Sequence, residues 1–143
     1  MIWAKKLTLE QMNDMMKNSI EEQLGIEMVE LGNDFIKAKM PVDRRTRQPF
    51  GVLHGGASVV LAESLGSFAS YLTLKSEDRI AVGIEINANH IRSVTQGEVT
   101  GIAHPIHLGK QTHVWEIKIL NEKNKLVCIS RLTVAILPKK IDQ

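Results

Sequence analysis

The sequence predicts an α+β fold in which a mostly antiparallel sheet of five or six strands wraps around one long central helix. Two observations carry this prediction. Residues 55–74 are apolar at helical periodicity, and their only charged side chain is Glu63. The segments on either side of them instead alternate in hydrophobicity, as strands do. Because a helix with so few charges must be covered on most of its sides, the strands are expected to surround it.

A first, shorter helix is predicted near the N-terminus. Thr8 is followed three residues later by Gln11. This spacing is typical of a capping box, in which each of the two side chains accepts a hydrogen bond from the other residue's backbone N–H. We therefore expect a helix over residues 8–18.

The remaining elements are predicted as strands, from runs rich in β-branched and other apolar residues. They occupy residues 26–31, 35–40, 80–86, 98–104, 113–120 and 126–137. The first two strands flank Gly32–Asn33–Asp34, a turn sequence that favours a hairpin, and Pro41 ends the second of them. The last two strands are joined at residues 121–124.

Composition limits the class of protein. The 143 residues are 43% hydrophobic and 24% charged, which fits a single domain over residues 1–143. A net charge of +2 is too balanced to indicate a nucleic-acid partner. The single cysteine, Cys128, cannot form an internal disulfide and is expected to be a small core residue. Since the N-terminal residues also lack the long apolar core of a signal peptide, we expect a cytoplasmic location.

Two further classes of site are not expected. Residues 55–74 are long enough to cross a membrane, but three glycines, four serines and a central Glu63 favour a helix buried in protein. No membrane partner is therefore predicted. The five histidines lack H-x-x-x-H spacing and the chain has no C-x-x-C pair, so neither a metal nor another cofactor is expected.

The residues around the start of the long helix indicate acyl-transfer chemistry. An ionised carboxylate without a partner is costly in an apolar segment, so Glu63 is expected to serve chemistry or a fixed polar network. Just before it, Gln48, His54, Gly55 and Gly56 place an amide, an imidazole and two glycines at the helix start. Free backbone N–H groups point outward at such a position.

The spacing of these groups predicts an active site shared between subunits. Thioester hydrolysis needs a carboxylate that attacks the carbonyl or activates water, and an N–H donor for the developing oxyanion. Glu63 lies eight positions after Gly55, which is about 12 Å along one helix. One chain cannot bring both to one carbonyl, whereas two antiparallel helices related by a two-fold axis can.

Three segments resemble the hotdog-fold acyl-CoA thioesterases, and the resemblance covers nearly the whole chain. They are PVDRRTRQPFGVLHGGASVVLAES, GIEINANHIRS and PIHLGKQTHVWEI. The similarity is greatest to the branch that contains 1,4-dihydroxy-2-naphthoyl-CoA hydrolase of menaquinone biosynthesis and the proofreading thioesterase of aryl carrier proteins. It implies a hotdog fold, hydrolysis of an acyl-CoA thioester, and a homodimer with shared active sites that commonly pairs into a homotetramer.

Roles for five residues follow, each beside a purely structural alternative. Glu63 is expected to act as nucleophile or general base, unless it is simply an ion-paired helix residue. The Gly55 N–H would polarise the thioester oxygen, although a glycine there also permits a tight turn. His54 and Gln48 match substrate-orienting positions of the family, and Ser67 lies at i+4 from Glu63 to hold the carboxylate or the water. Loop and core packing roles are the alternatives for these three.

The resemblance also places the acyl group and coenzyme A. Phe68 is expected to border the acyl pocket, where its ring restricts the acyl group or stacks on an aromatic one. The expected contacts with the pantetheine arm and phosphates are a strand end with His90, Ile91, Arg92 and Ser93, a loop with His107, Leu108, Gly109 and Lys110, and the backbone of Gly83. Arg92 and Lys110 are equally compatible with solvated surface charges.

The sequence does not decide which acyl group the substrate carries. An aromatic acyl-CoA, 1,4-dihydroxy-2-naphthoyl-CoA or a similar aroyl-CoA, is the expected substrate. The alternatives are a thioester of an aroyl carrier protein and a non-catalytic acyl-CoA-binding protein. A hotdog dehydratase also uses a histidine and a carboxylate, but its pattern spaces them farther apart than His54 and Glu63.

Overall fold

The computed structural model describes residues 1–140 and confirms the predicted α+β architecture, with one long helix packed on a six-stranded sheet. The helices are α1 (Leu9–Met15), α2 (Ile20–Leu24) and α3 (Gly55–Thr73). The strands are β1 (Glu27–Leu31), β2 (Ile36–Pro41), β3 (Arg79–His90), β4 (Glu98–Leu108), β5 (Thr112–Leu120) and β6 (Leu126–Pro138). All pairs are antiparallel, in the order β1-β2-β4-β5-β6-β3. The last three residues of the predicted domain lie outside the described part.

Helix α3 packs closely on the sheet because small residues let the two surfaces approach. Leu61, Leu65 and Leu72 are fully buried on its inner face. A Cβ added to Gly66 of α3 would lie 2.6 Å from a methyl carbon of Leu132 on β6. Cys128, also on β6, is buried in the same core as predicted. Within residues 1–140, no helix has the length and apolarity needed to cross a membrane.

The N-terminal segment confirms the capping box but corrects the length of the helix. Thr8 caps α1, and the reciprocal bonds with Gln11 are both present. The helix nevertheless ends at Met15, and the prediction of one helix over 8–18 was wrong at its C-terminal end. Asn18 adopts a left-handed backbone with φ 59°, which ends helical continuation. Ser19 is the N-cap of the second short helix, α2, which the sequence pattern did not reveal.

Strand β3 lies at the edge of the sheet and exposes apolar side chains. A β-bulge between Gly83 and Glu85 shifts its register against β6, so that side chains on either side of the bulge change faces. Ala81 packs against the core, whereas Val82 and Ile84 are 39% and 63% exposed. Among the described residues the outer edge of β3 has no partner strand. Such an edge is a surface on which another strand can pair.

Strand β4 is longer than predicted, and this corrects the expected loop over residues 107–110. His107 and Leu108 pair with β5, so of these four residues only Gly109 and Lys110 lie in the turn between the strands. The ladder is irregular between Pro105 and His107. A bulge is one of the few places where a sheet accommodates proline, so Pro105 does not end the strand.

Candidate active site

The start of α3 presents one free backbone donor. The Gly56 N–H donates to Nδ1 of His54 at 2.7 Å. The N–H groups of Ala57 and Ser58 donate to the His54 carbonyl at 3.0 and 3.3 Å. Within residues 1–140, the Gly55 N–H has no hydrogen-bond acceptor. The positive end of the helix dipole is therefore offered to a ligand chiefly through Gly55.

Gln48 and Gly55, two of the residues predicted at this helix start, meet the predicted coenzyme A contacts of residues 90–93 in one cavity of about 310 Å³. The predicted residues that line it are Gln48, Gly55, His90, Ile91, Arg92 and Ser93. The imidazole of His90 packs on Gly55 so closely that an added Cβ would lie 2.8 Å from its Nε2. His54 does not line the cavity, because its side chain turns back to cap α3.

The loop that carries Gln48 is tied to itself. The Gln48 N–H donates to the Val52 carbonyl at 2.8 Å, and the Gln48 carbonyl accepts from the Gly51 N–H at 2.9 Å. The side-chain Oε1 of Gln48 also accepts from the Phe50 N–H. The bond orients the amide and leaves its NH₂ group available as a donor toward the cavity. Phe50 itself is 91% exposed at the loop tip.

Glu63 lies half-buried in the middle of α3 and points across the edge strand β3. A Cβ on Gly83 would lie 2.6 Å from Glu63 Oε1, so the carboxylate occupies space that only glycine leaves open. Among the described residues no ion pair or side-chain hydrogen bond holds Glu63. The alternative of a structurally paired glutamate therefore gains no support.

A second, larger cavity of about 470 Å³ surrounds this carboxylate. Its lining residues are Met15, Ile20, Glu21, Val60, Glu63, Ser64, Ser67, Phe68 and Tyr71. Ser67 thus shares the helix face of Glu63, as their spacing predicts. The rings of Phe68 and Tyr71 meet edge to face with centroids 6.0 Å apart, so one wall of the cavity is aromatic.

The two cavities are separate in one chain. Gly55 lines the smaller cavity, Glu63 lines the larger one, and neither residue lines both. Their positions on one straight helix keep them about 12 Å apart along its axis. The carboxylate and the free N–H therefore do not meet at one carbonyl within a single subunit.

Comparisons with known proteins identify the family of the chain. The model of the thioesterase superfamily matches residues 50–128. The chain is 54% identical to 1,4-dihydroxy-2-naphthoyl-CoA hydrolase of Escherichia coli (strain K12) over 96% of this chain and 100% of that protein. It is 50% identical to the proofreading thioesterase EntH of Cronobacter turicensis, over 96% of this chain and 99% of the relative.

The solved structures agree as well. The fold superposes on a thioesterase from Haemophilus influenzae with a TM-score of 0.96 and 51% identity, over 100% of this chain and 99% of that one. The chain belongs to the thioesterase superfamily. It is a hotdog-fold thioester hydrolase.

The structure does not bring together all of the residues predicted to bind coenzyme A in this thioesterase. Leu108, Gly109 and Lys110 line a third cavity of about 560 Å³ beside Thr73, at the end of α3. His90 and its neighbours lie at the start of that helix, which has 19 residues and is about 28 Å long. One subunit thus carries the two predicted segments at opposite ends.

Individual side chains in these segments have structural contacts. Arg92 Nη1 donates to the Leu126 carbonyl at 2.9 Å. The ring of His107 packs on Gly109, where an added Cβ would lie 2.5 Å from Nε2. Gly83 contacts Glu63 rather than either segment. The role of the Gly83 backbone as a coenzyme A contact therefore stays a prediction.

A buried polar cluster near the third cavity was not predicted. Ser70 Oγ accepts from the Trp115 indole N–H at 2.7 Å and lies 3.2 Å from Nδ1 of His113. Because an indole only donates, the Ser70 hydroxyl proton is available for His113 Nδ1. Burial lowers the pKa of His113, although a hydrogen bond with the Gly109 backbone acts in the opposite direction. The imidazole is therefore neutral in the fold at neutral pH.

Sequence reasoning also missed Glu21, a second carboxylate in the cavity of Glu63. Glu21 Oε1 accepts from Ser64 Oγ at 2.8 Å, across 43 positions of the chain. Burial alone would raise the pKa of Glu21, but hydrogen bonds from Ser19, Ser64 and its own backbone N–H lower it overall. No local sequence pattern predicts a contact between residues so far apart in the chain.

Proposed function

We propose that this thioesterase hydrolyses an aromatic acyl-CoA, 1,4-dihydroxy-2-naphthoyl-CoA or a similar aroyl-CoA, to the free acid and CoA. The observation that carries the proposal is the unpaired Glu63 carboxylate in a largely apolar cavity with an aromatic wall. Such a cavity suits a flat acyl group that places its carbonyl at the only carboxylate without a partner there. The name of the Escherichia coli relative supports the same substrate class.

In the proposed mechanism Glu63 acts as nucleophile or as general base. As a base, it removes a proton from water while the water oxygen attacks the thioester carbonyl carbon. The carbonyl oxygen becomes an oxyanion and accepts from the Gly55 N–H at the helix start. The carbon–oxygen double bond then re-forms, the carbon–sulfur bond breaks, and the thiolate of CoA takes a proton. As a nucleophile, the Glu63 oxygen attacks the carbonyl carbon and displaces the CoA thiolate, which takes a proton, and water then hydrolyses the resulting mixed anhydride to the free acid and the Glu63 carboxylate.

Three neighbouring side chains are proposed to orient the reactants. Ser67, on the same helix face as Glu63, holds the carboxylate or the attacking water. The Gln48 amide, already oriented by the Phe50 N–H, donates to the substrate. The Nδ1 atom of His54 accepts from the Gly56 N–H, so the Nε2 atom is the one that is proposed to contact the substrate.

We propose that each complete site lies between two copies of the chain. Glu63 lies against β3, whose outer edge has no partner strand among the described residues. A second strand on that edge would bury the exposed side chains of Val82 and Ile84. Antiparallel pairing of two β3 edges would set the two α3 helices side by side in opposite directions. Gly55 of the partner subunit would then approach Glu63. Further pairing of dimers into a homotetramer is proposed on the family resemblance.

The same arrangement would reunite the segments proposed to bind coenzyme A. A two-fold axis exchanges the ends of α3, so residues 90–93 of one subunit would lie nearer to residues 107–110 of another. Arg92 and Lys110 would then contribute charge to one phosphate-binding site. The separation of these segments within a single chain is what motivates this step.

A second candidate substrate is the thioester of an aroyl carrier protein. The reaction and the acyl cavity would be the same, and only the group attached to the pantetheine would differ. The observation in favour is the 50% identity to a protein named as a proofreading thioesterase.

Steady-state hydrolysis of a thioester panel tests the proposal. The panel contains aromatic acyl-CoAs, medium-chain acyl-CoAs and an aroyl carrier protein. We expect the wild type to prefer an aromatic acyl-CoA and Glu63→Gln to lose several orders of magnitude in kcat with its fold intact. The matched control is Glu10→Gln, which removes an exposed carboxylate from α1 and should leave kcat unchanged. Binding of CoA esters without hydrolysis by the wild type would overturn the proposal.

A further inference from the structure

The cavity of Glu63 contains a second, firmly held carboxylate. Glu21 reaches it from α2, the short helix that packs beside α3. Its Oε1 accepts from the Ser64 hydroxyl at 2.8 Å, and its Oε2 lies 2.6 Å from Ser19 Oγ, whose one proton is shared with the Met16 carbonyl. Each oxygen thus has a hydroxyl beside it, Ser64 on α3 and Ser19 at the residue before α2. Ser64 is also the residue next to Glu63, which places the two carboxylates in one cavity.

This carboxylate retains capacity to accept another hydrogen bond. A carboxylate has two oxygens with about four lone-pair sites. The hydroxyls of Ser19 and Ser64 and the backbone N–H of Glu21 occupy at most three of them. Hydrogen bonds to the ionised form lower the pKa of Glu21. At neutral pH the cavity therefore contains a negatively charged acceptor in a defined orientation.

The surroundings of Glu21 make that acceptor selective. The cavity is otherwise lined mainly by apolar and aromatic side chains, among them Met15, Ile20, Val60 and Phe68. In such a pocket a few polar groups set the orientation and the specificity of the ligand. A ligand that donates a hydrogen bond to Glu21 gains binding free energy. A ligand that buries the carboxylate without donating a hydrogen bond loses binding free energy. An anionic ligand group is repelled.

We propose that Glu21 is a specificity-determining residue of this thioesterase, which selects acyl groups that carry a hydroxyl donor remote from the thioester and rejects acyl groups that carry a carboxylate. The inference rests on the proposed function, in which the acyl group occupies the cavity of Glu63. It adds to that function the role of Glu21 and a chemical criterion for the substrate. The acyl ring must carry a hydrogen-bond donor and must not carry a negative charge.

A purely structural role makes a different prediction. If Glu21 only ties α2 to α3 through Ser64, its replacement changes stability and affects every substrate in the same proportion. A specificity role instead changes the ratio between substrates. That ratio is therefore the quantity to measure.

The test compares kcat/KM of wild type, Glu21→Gln and Glu21→Asp for three kinds of thioester. They are benzoyl-CoA, the three monohydroxybenzoyl-CoA isomers and 4-carboxybenzoyl-CoA. Glu22→Gln is the matched control, because it removes a charge from the same helix turn at an exposed position that contacts the Asn18 N–H instead. Circular dichroism and thermal unfolding of each variant report whether the fold is kept.

We expect the wild type to favour at least one hydroxylated isomer over benzoyl-CoA by about tenfold or more. Glu21→Gln should abolish most of this preference, raise activity on 4-carboxybenzoyl-CoA, and change activity on benzoyl-CoA by less than about threefold. Glu21→Asp keeps the charge but shortens the reach, so it should lose the hydroxyl preference and still reject the carboxylated substrate. Glu22→Gln should behave as wild type.

Equal preferences in wild type and Glu21→Gln would overturn the inference. If Glu63→Gln still abolishes hydrolysis in that case, the proposed function survives and only the role of Glu21 fails. If the wild type hydrolyses neither these esters nor 1,4-dihydroxy-2-naphthoyl-CoA, the proposed function fails, and the role of Glu21 fails with it.

Discussion

Glu63 Oε1 lies 2.6 Å from the point that the Cβ of residue 83 would occupy, so Gly83 is the residue that leaves room for the proposed catalytic carboxylate. The two residues belong to different elements, α3 and the edge strand β3. Their contact places the carboxylate at the open side of the sheet. It thus links the chemistry of Glu63 to the surface on which a second subunit is proposed to pair.

Replacing Gly83 by alanine should impair catalysis more than stability. The added methyl must displace the Glu63 carboxylate, and a misplacement of about 1 Å at a reacting group costs on the order of a hundredfold in rate. Gly83 has no left-handed backbone angle, so alanine introduces no backbone strain there. We expect a large fall in kcat with an unfolding midpoint close to wild type. Unchanged kcat in a folded Gly83→Ala variant would show that the position of this carboxylate does not matter.

The Gly55 N–H can be removed with little damage to the helix. Gly55 is the first residue of α3, a position that favours proline, and His54 before it has an extended backbone with φ −68° and ψ 131°. Gly55→Pro should lower kcat by about two to three orders of magnitude, as loss of an oxyanion donor does. Gly55→Ala is the control, because it adds a Cβ against His90 but keeps the N–H. Equal kcat for the two variants would contradict the role of the N–H.

His54 should show two separable effects. Its Nδ1 caps α3 through the Gly56 N–H, so His54→Ala should lower the free energy of unfolding by about 1 kcal/mol. Asparagine is a good cap, and His54→Asn should restore the stability. Because asparagine lacks the Nε2 edge, kcat/KM of His54→Asn should remain about tenfold below wild type. Denaturant unfolding and steady-state kinetics measure the two effects, and full activity of His54→Asn would leave capping as the only role.

Stability should fall as the pH falls below the ordinary pKa of histidine, because of His113. Its pKa is lowered from 6.5 by burial. The unfolded chain therefore binds a proton at a higher pH than the folded chain does, and stability is lost between the two pKa values as pH decreases. One such group contributes at most about 1.4 kcal/mol per pH unit in this window. Denaturant unfolding between pH 7.5 and 5.5 should show this slope in wild type.

The matched variant for this prediction is His113→Gln, which replaces the imidazole with a side chain that does not titrate. Its unfolding free energy should vary less over the same pH range. The lowered pKa of Glu21 acts in a more acidic window, below its ordinary value of 4.5, and does not interfere. An identical slope in wild type and His113→Gln would assign the pH dependence to other groups.

Local signals account for what the sequence predicted well. The capping box of Thr8 and the long apolar segment that starts at Gly55 depend on neighbouring residues, and both are present in the structure. The end of α1 was wrong because Asn18 adopts a left-handed backbone that many residues avoid. The end of β4 was wrong because a bulge accommodates Pro105.

The contacts that define the site instead join residues that are far apart in the sequence. Glu21 meets Ser64 across 43 positions, and Glu63 meets Gly83 through the packing of α3 on β3. Neither contact follows from local periodicity or turn chemistry. The separate cavities of Gly55 and Glu63 agree with the spacing argument from the sequence. The partner that would join these cavities is a proposal that needs a direct test.

Mixing two inactive variants tests the shared site most directly. In a dimer of one Glu63→Gln subunit and one Gly55→Pro subunit, one site carries both defects and the other carries neither. We therefore expect reassociated equimolar mixtures to recover about a quarter of wild-type activity, since half of the dimers are mixed and each has one intact site of two. Activity no higher than that of the separate variants, in mixtures shown to contain mixed dimers, would contradict a site built from Glu63 of one subunit and Gly55 of the other.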